Sequence, residues 1–148
     1  MKSIITALFV LLSAMPAFAG DCIDISGKYL GKNDDGTQSV ATFVQTGCEL
    51  LEVAGDGSTH TYLLDGVFRD VGATGGMAML SAHAGPDQIE MSVVMAVPTI
   101  ETPPRVEAMS TWMSYSLDPT TKDLVLTVKN YSSDGKLTST TTYTAQRQ

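Results

Sequence analysis

A chain of 148 residues that is 43% hydrophobic and 7% aromatic is one ordinary domain's worth and leaves no room for a second. A charged fraction of 17% and a mean hydropathy of +0.09 exclude a disordered polyelectrolyte. Sixteen acidic against nine basic residues, a formal net charge of -7, argue against a nucleic-acid backbone as partner.

The chain opens on Met1-Lys2, continues through an almost unbroken apolar run from Ile4 to Leu12, and reaches the small-x-small site Ala17-Phe18-Ala19 before Gly20. Residues 1–19 therefore read as a signal peptide of bacterial style, residues 20–148 as the exported domain, and the periplasm or the medium as its destination. No later run approaches the roughly 20 apolar residues of a spanning helix, so no membrane span is expected. Asp21 before Cys22 disfavours a lipid-anchored cysteine. Cys22 and Cys48 are the two cysteines, and in an oxidising compartment they are expected to form a disulfide that staples the mature N-terminus to the third strand. A metal site is disfavoured because neither has a histidine or a second cysteine at ligand spacing.

Beyond the signal peptide, β-rich runs alternate with turn residues, and no apolar recurrence of helical period extends over a helix's length. Strands are predicted over 27–32, 39–45, 48–54, 60–65, 67–71 running on through 77–82, 88–97, 106–117, 124–131 and 137–146. Between them stand Asn33-Asp34-Asp35-Gly36, Thr46-Gly47, Gly55-Asp56-Gly57, Asp65-Gly66, Gly75-Gly76, Gly85-Pro86-Asp87, Pro103-Pro104, Asp118-Pro119 and Ser133-Asp134-Gly135, where the chain reverses. Short connections make consecutive strands antiparallel neighbours, so the predicted fold is all-β, a single meander of about eight strands closed into a small barrel, with a sandwich as the alternative.

The first of these strands carries a resemblance. Ser26-Gly27-Lys28-Tyr29-Leu30-Gly31 resembles the Gly-x-Trp opening of lipocalins and related calycin barrels, with Tyr29 in the Trp place, and Arg147 stands late in the chain like the basic residue that packs over that ring in the family. The resemblance implies one barrel with a ligand-holding mouth or a filled interior, and it transfers no catalytic residue. Small periplasmic metalloprotease inhibitors and avidin-like barrels are similar in general design.

Six of the eight methionines fall between Met77 and Met113. Period two aligns Met77 with Met79, Met91 with Met95, and Met109 with Met113 and Tyr115, so three consecutive strands are expected to share a Met-rich wall. Such a wall adapts to varied apolar ligands, or simply fills the core; a thioether site for Cu(I), with His83 and Trp112 nearby in sequence, is a third reading. Trp112 alternates with Ala108, Ser110, Ser114 and Ser116 on the opposite face, where it either stacks on a sugar ring or a partner or is covered by a loop.

There is no Gly-x-Ser-x-Gly elbow, His-Glu-x-x-His, phosphate loop or dinucleotide fingerprint. His60 at a strand start and His83 before Gly85-Pro86 are the two histidines, and plentiful Ser and Asp make an assembled triad uninformative. Asn33-Asp34-Asp35-Gly36 has a calcium loop's composition without its alternating spacing. Asn130-Tyr131-Ser132 is a glycan sequon, meaningful only in a eukaryotic host. Residues 98–105 form the longest breaker-rich stretch, a rigid connector or a loop presented to a partner.

These readings converge on an exported lipocalin-like binding protein without enzymatic activity or cofactor. Met77, Met79, Met91, Met95, Met109, Met113 and Tyr115 are its expected contacts to a small apolar molecule. The alternative is a protein-binding module, such as a periplasmic protease inhibitor or envelope-associated factor, that uses an exposed loop.

Overall fold

A computed structural model of the chain describes residues 21–32, 36–72, 76–103 and 105–148. The expected signal peptide at 1–19, the Asn33-Asp34-Asp35 turn, Gly75 and Pro104 lie outside the described residues. Ten strands follow in chain order: β1 (Gly27–Lys32), β2 (Gln38–Thr46), β3 (Leu50–Gly55), β4 (Ser58–Leu63), β5 (Arg69–Asp70), β6 (Met77–Ala84), β7 (Ile89–Pro98), β8 (Val106–Leu117), β9 (Leu124–Tyr131) and β10 (Leu137–Arg147). No helix occurs among the described residues.

Turn chemistry dictates the hairpins. Between β3 and β4, Asp56 and Gly57 both take positive φ, 49° and 78°, the pair of left-handed residues that a two-residue hairpin turn matching the strand twist requires. Between β9 and β10, Gly135 at φ 77° lets its N–H donate to the carbonyl of Ser132, while the Ser132 N–H donates to the carbonyl of Lys136. The run expected to continue from 67–71 through 77–82 is instead a hairpin, with β5 antiparallel to β6 at Arg69↔Leu80 and Asp70↔Met79. The split raises the count to ten.

All strands belong to one antiparallel sheet in the order β4-β3-β2-β1-β10-β9-β8-β7-β6-β5. The first and last strands meet inside it, where β1 pairs with β10 at Tyr29↔Arg147 and Leu30↔Gln146. The two edges are β4 and β5, consecutive in sequence, and no ladder joins them among the described residues, so the sheet is not closed into the expected barrel. The reason lies in the link between them. Leu64 still donates to Glu49 on the β3 side, and the next residues already dock on β6, through the Asp65↔His83 bridge and the bond from the Gly66 N–H to the Ala82 carbonyl. No extended length remains for β4 and β5 to run side by side.

The sheet wraps on itself around Ile25, Tyr29, Phe43, Leu51, Leu64, Ala82, Ile89, Met91 and Leu124. Full burial of side chains such as Leu51 and Ile89, both 0% exposed, is worth about 1.5–3 kcal/mol each. One end of the wrap is plugged by the segment before β1. Cys22 is bonded to Cys48 with 5.7 Å between their Cα atoms, and the Ile23 N–H donates to the Gly85 carbonyl. Gln45 ties this segment to β2 and β3: its Nε2 donates to the carbonyls of Ile23 (2.7 Å) and Gly47 (2.8 Å), and its Oε1 accepts from the Ile25 N–H (3.1 Å).

The register decides the methionines. Inward on β7 and β8 point Met91, Met95, Met109 and Met113, for Met91 opposes Met113 and Met95 opposes Met109. On β6, however, Ala78 opposes Met95 and Ala82 opposes Met91, so Ala78 and Ala82 take the inner face and Met77 and Met79 the outer one. The expected three-strand Met wall is corrected to two strands. Ala78, Leu80 and Ala82 stand inward on β6: Ala82 is 1% exposed, whereas the outward Met77 is 58% exposed.

Candidate ligand-binding cleft

Period two along β1 places Tyr29 and Gly31 on the inner face, and along β2 it places Ser39, Ala41 and Phe43 there. Tyr143 and Ala145 of the neighbouring β10, Leu124 and Leu126 of β9 and Tyr115 of β8 complete the lining of an open-mouthed inner cleft of about 280 Å³. Its floor is aromatic: Tyr29 and Phe43 meet edge to face with centroids 5.6 Å apart, and Phe43 lies 5.9 Å from Tyr115. The space exists because Gly31 sits between Ser39 and Ala145. A Cβ built on Gly31 would meet the Ser39 Oγ at 3.7 Å and the Ala145 Cβ at 3.9 Å, ordinary contacts, so only a longer side chain would invade the cleft.

The cleft is electrostatically quiet. Lys32 at its rim is the one charged residue in its lining. Burial pushes the Tyr115 phenol up, with Tyr62 adding to the effect. Burial also raises Tyr29, whose hydroxyl donates to the Ile25 carbonyl at 3.0 Å, while the charge of Arg147 pulls the other way. Arg147 pairs directly with Tyr29 in the register, and its guanidinium donates to the Ser26 carbonyl at 3.0 Å.

Of the seven residues expected to touch a ligand, Tyr115 lines this cleft. Met91 is 2% exposed within the core, and Met113 packs against it. Met95 and Met109 line a separate inner cleft of about 510 Å³ at the far end of the strands, beside Thr111, Asn130 and Thr138. Met77 and Met79 are on the other face. Sequence reasoning missed Phe43, Tyr143 and above all Gly31; the alternation of Tyr29 and Gly31 on one strand was the available signal.

The remaining candidates are placed as follows. His60 is exposed, 3.4 Å from the Ser58 Oγ through its Nε2, and His83 is exposed beside the 85–88 loop. Among the described residues, no three His, Cys, Asp or Glu side chains gather as a metal site. The sequon Asn130 is half-buried and engaged, accepting from Thr111 Oγ1 at 2.7 Å and donating to Ser139 Oγ at 2.9 Å. The β7–β8 loop is closed by the Thr99 N–H on the Arg105 carbonyl and the Arg105 N–H on Thr99 Oγ1, and it carries a fully exposed Ile100.

Trp112 lies on the outer face, half-buried, with the Lys129 Nζ 4.6 Å from its ring centroid. This cross-strand cation–π contact, at a partly exposed site, is worth about 0.5–1 kcal/mol. With Ser92, Val94, Ser110, Tyr131 and Phe68 the pair lines an outer groove of about 490 Å³.

No protein-family model, no curated protein and no solved structure matches this chain.

Proposed function

We propose that the protein is an exported, non-enzymatic binding module that holds a compact apolar or aromatic molecule in the interior cleft, in the manner of a calycin barrel. The observation that carries this reading is the aromatic floor of Tyr29, Phe43 and Tyr115 beneath a gap left by Gly31, with Lys32 as the sole charge in the lining. Cognate ligand pockets of about 300–1,000 Å³ are typical, so a cleft of about 280 Å³ suits a small molecule rather than a long acyl chain. Export is supported by the leader-like residues 1–19 and by the Cys22–Cys48 disulfide, a bond that persists in oxidising compartments.

The test is native mass spectrometry of protein purified from its own host, beside uptake of the neutral fluorophore N-phenylnaphthylamine. A mass excess lost on denaturation, and fluorophore uptake abolished by Gly31→Leu, are the expected results. A bare mass together with uptake that Gly31→Leu leaves unchanged would remove the reading.

The second reading is recognition of a protein through the β7–β8 loop. What favours it is Ile100, wholly exposed at a loop that its own hydrogen bonds hold closed. It predicts that capture of a partner from the envelope fraction depends on Ile100 and is indifferent to Gly31→Leu.

A further inference from the structure

We propose that the outer face of β7, β8 and β9 carries a second binding site, for an acidic saccharide. The register builds it in rows. Ser92 of β7, Trp112 of β8 and Lys129 of β9 are directly opposed in one row, and Val94, Ser110 and Tyr131 in the next. All six side chains therefore stand on one face of the sheet. Phe68, 46% exposed, rises on the β5 side of this floor and Tyr131 on the β9 side.

The chemistry of the groove matches a pyranose ring bearing a carboxylate. Phe68 and Tyr131 offer aromatic surface for the C–H face of a sugar, while the Ser92 and Ser110 hydroxyls between them make no hydrogen bond within the described residues. Lys129 supplies the charge. No carboxylate among the described residues forms an ion pair with it, and the Trp112 ring fixes its ammonium at the end of the groove. The acid on this face of β7, β8 and β9, Glu90, faces Ser114 and is held by the Gln88 Nε2 at 2.6 Å. The locally unpaired cation favours an anionic group at this end of the groove. The floor is too polar for the apolar molecule assigned to the interior, and the groove lies on the opposite face from that cleft.

Trp112 is the one tryptophan of the chain, so its emission reports on this groove alone. The experiment titrates the protein with a glucuronate-containing disaccharide, with neutral cellobiose and with a hexaglutamate peptide, following Trp112 emission and, in parallel, the heat of binding. Saturable binding of the glucuronate disaccharide is expected, at least tenfold weaker in Lys129→Gln and in Phe68→Ala, weakened by salt, and unaffected by Gly31→Leu. Both substituted side chains are partly exposed, and circular dichroism identifies any variant that has lost its fold. The absence of saturable binding, or binding unchanged in both variants, would overturn the site. Cellobiose binding as tightly as the glucuronate disaccharide would overturn the acidic specificity, and preferential binding of the peptide would replace the saccharide with an acidic segment of a protein. Loss of binding in Gly31→Leu would place the ligand in the interior cleft instead.

Discussion

The same strands live two lives. At the end where β7 begins and β8 finishes, Ile89 is 0% and Met91 2% exposed; at the other end of the same pair Val97 is 43% and Met109 46% exposed. Both ends have the same antiparallel ladder, from Ile89↔Tyr115 to Pro98↔Val106. What differs is the far side. Near Ile89 the inner face meets Tyr29, Phe43 and Leu51 across the wrap, whereas β1 pairs with β10 at Tyr29↔Arg147 and Leu30↔Gln146 and leaves Leu137–Thr144 exposed along its whole length. A β-strand pattern gives a face, and burial needs a second surface opposite that face.

The sharpest way to break this comparison is to truncate one residue type at both ends. Met91→Ala should cost about 2–5 kcal/mol, the range for a large side chain removed from a packed core. Met109→Ala should change stability by about 0.5 kcal/mol or less, as at exposed positions generally. Equal costs in urea unfolding would show that the far end is covered in solution.

Next in size is the disulfide that holds the plug beneath the buried end. Replacing Cys22 and Cys48 together by serine should cost about 3 kcal/mol, the chain-entropy value for the loop they close. The loss should appear as a lower unfolding midpoint with both outer-groove and cleft binding retained at low temperature.

Gln45 should follow at about 1–3 kcal/mol for Gln45→Ala, since the change leaves the part-buried Ile23 carbonyl and Ile25 N–H without their partner. Hydrogen exchange at Ile25 should quicken more than exchange in β8. A uniform acceleration would mean that the plug and the sheet unfold as one.

The smallest effects are expected from pH. Arg69 donates from both guanidinium NH groups to Asp65 at 2.7 and 2.6 Å and holds its carboxyl well below the usual range. The folded value lies below the unfolded one, so the associated stability is present above about pH 4 and is lost as pH falls, and Asp65→Asn should flatten this acid limb slightly. Tyr115 and Tyr29 work in the opposite direction. Their raised phenols contribute stability that is complete below about pH 10 and lost as pH rises through the folded values. Phenolate absorbance should therefore appear late for these tyrosines and coincide with unfolding.

Much of the fold was legible because it depends on neighbours in the chain. β1, β8 and β9 begin and end where alternation and turn residues put them, at Gly27–Lys32, Val106–Leu117 and Leu124–Tyr131. The Cys22–Cys48 bond followed from there being just two cysteines. The candidate cleft was far less legible. Tyr115 was found because it shares a face with apolar neighbours, but the gap at Gly31 depends on Ala145, more than a hundred residues away in sequence. The methionines misled for a related reason: on β6 their bulk suggests the inside, but the register with β7 puts Ala78, Leu80 and Ala82 there.

By itself, then, the sequence determined an all-β chain, its reversals, its disulfide and the two faces of each strand, since these follow from backbone sterics, residue period and local hydrogen bonding. The tertiary structure alone decided which face and which end are buried, that the meander opens between β4 and β5 while its first and last strands pair, and where a cleft remains. Those outcomes depend on the register and wrap of strands distant in sequence, and on the sizes of side chains that meet only after the sheet has folded over.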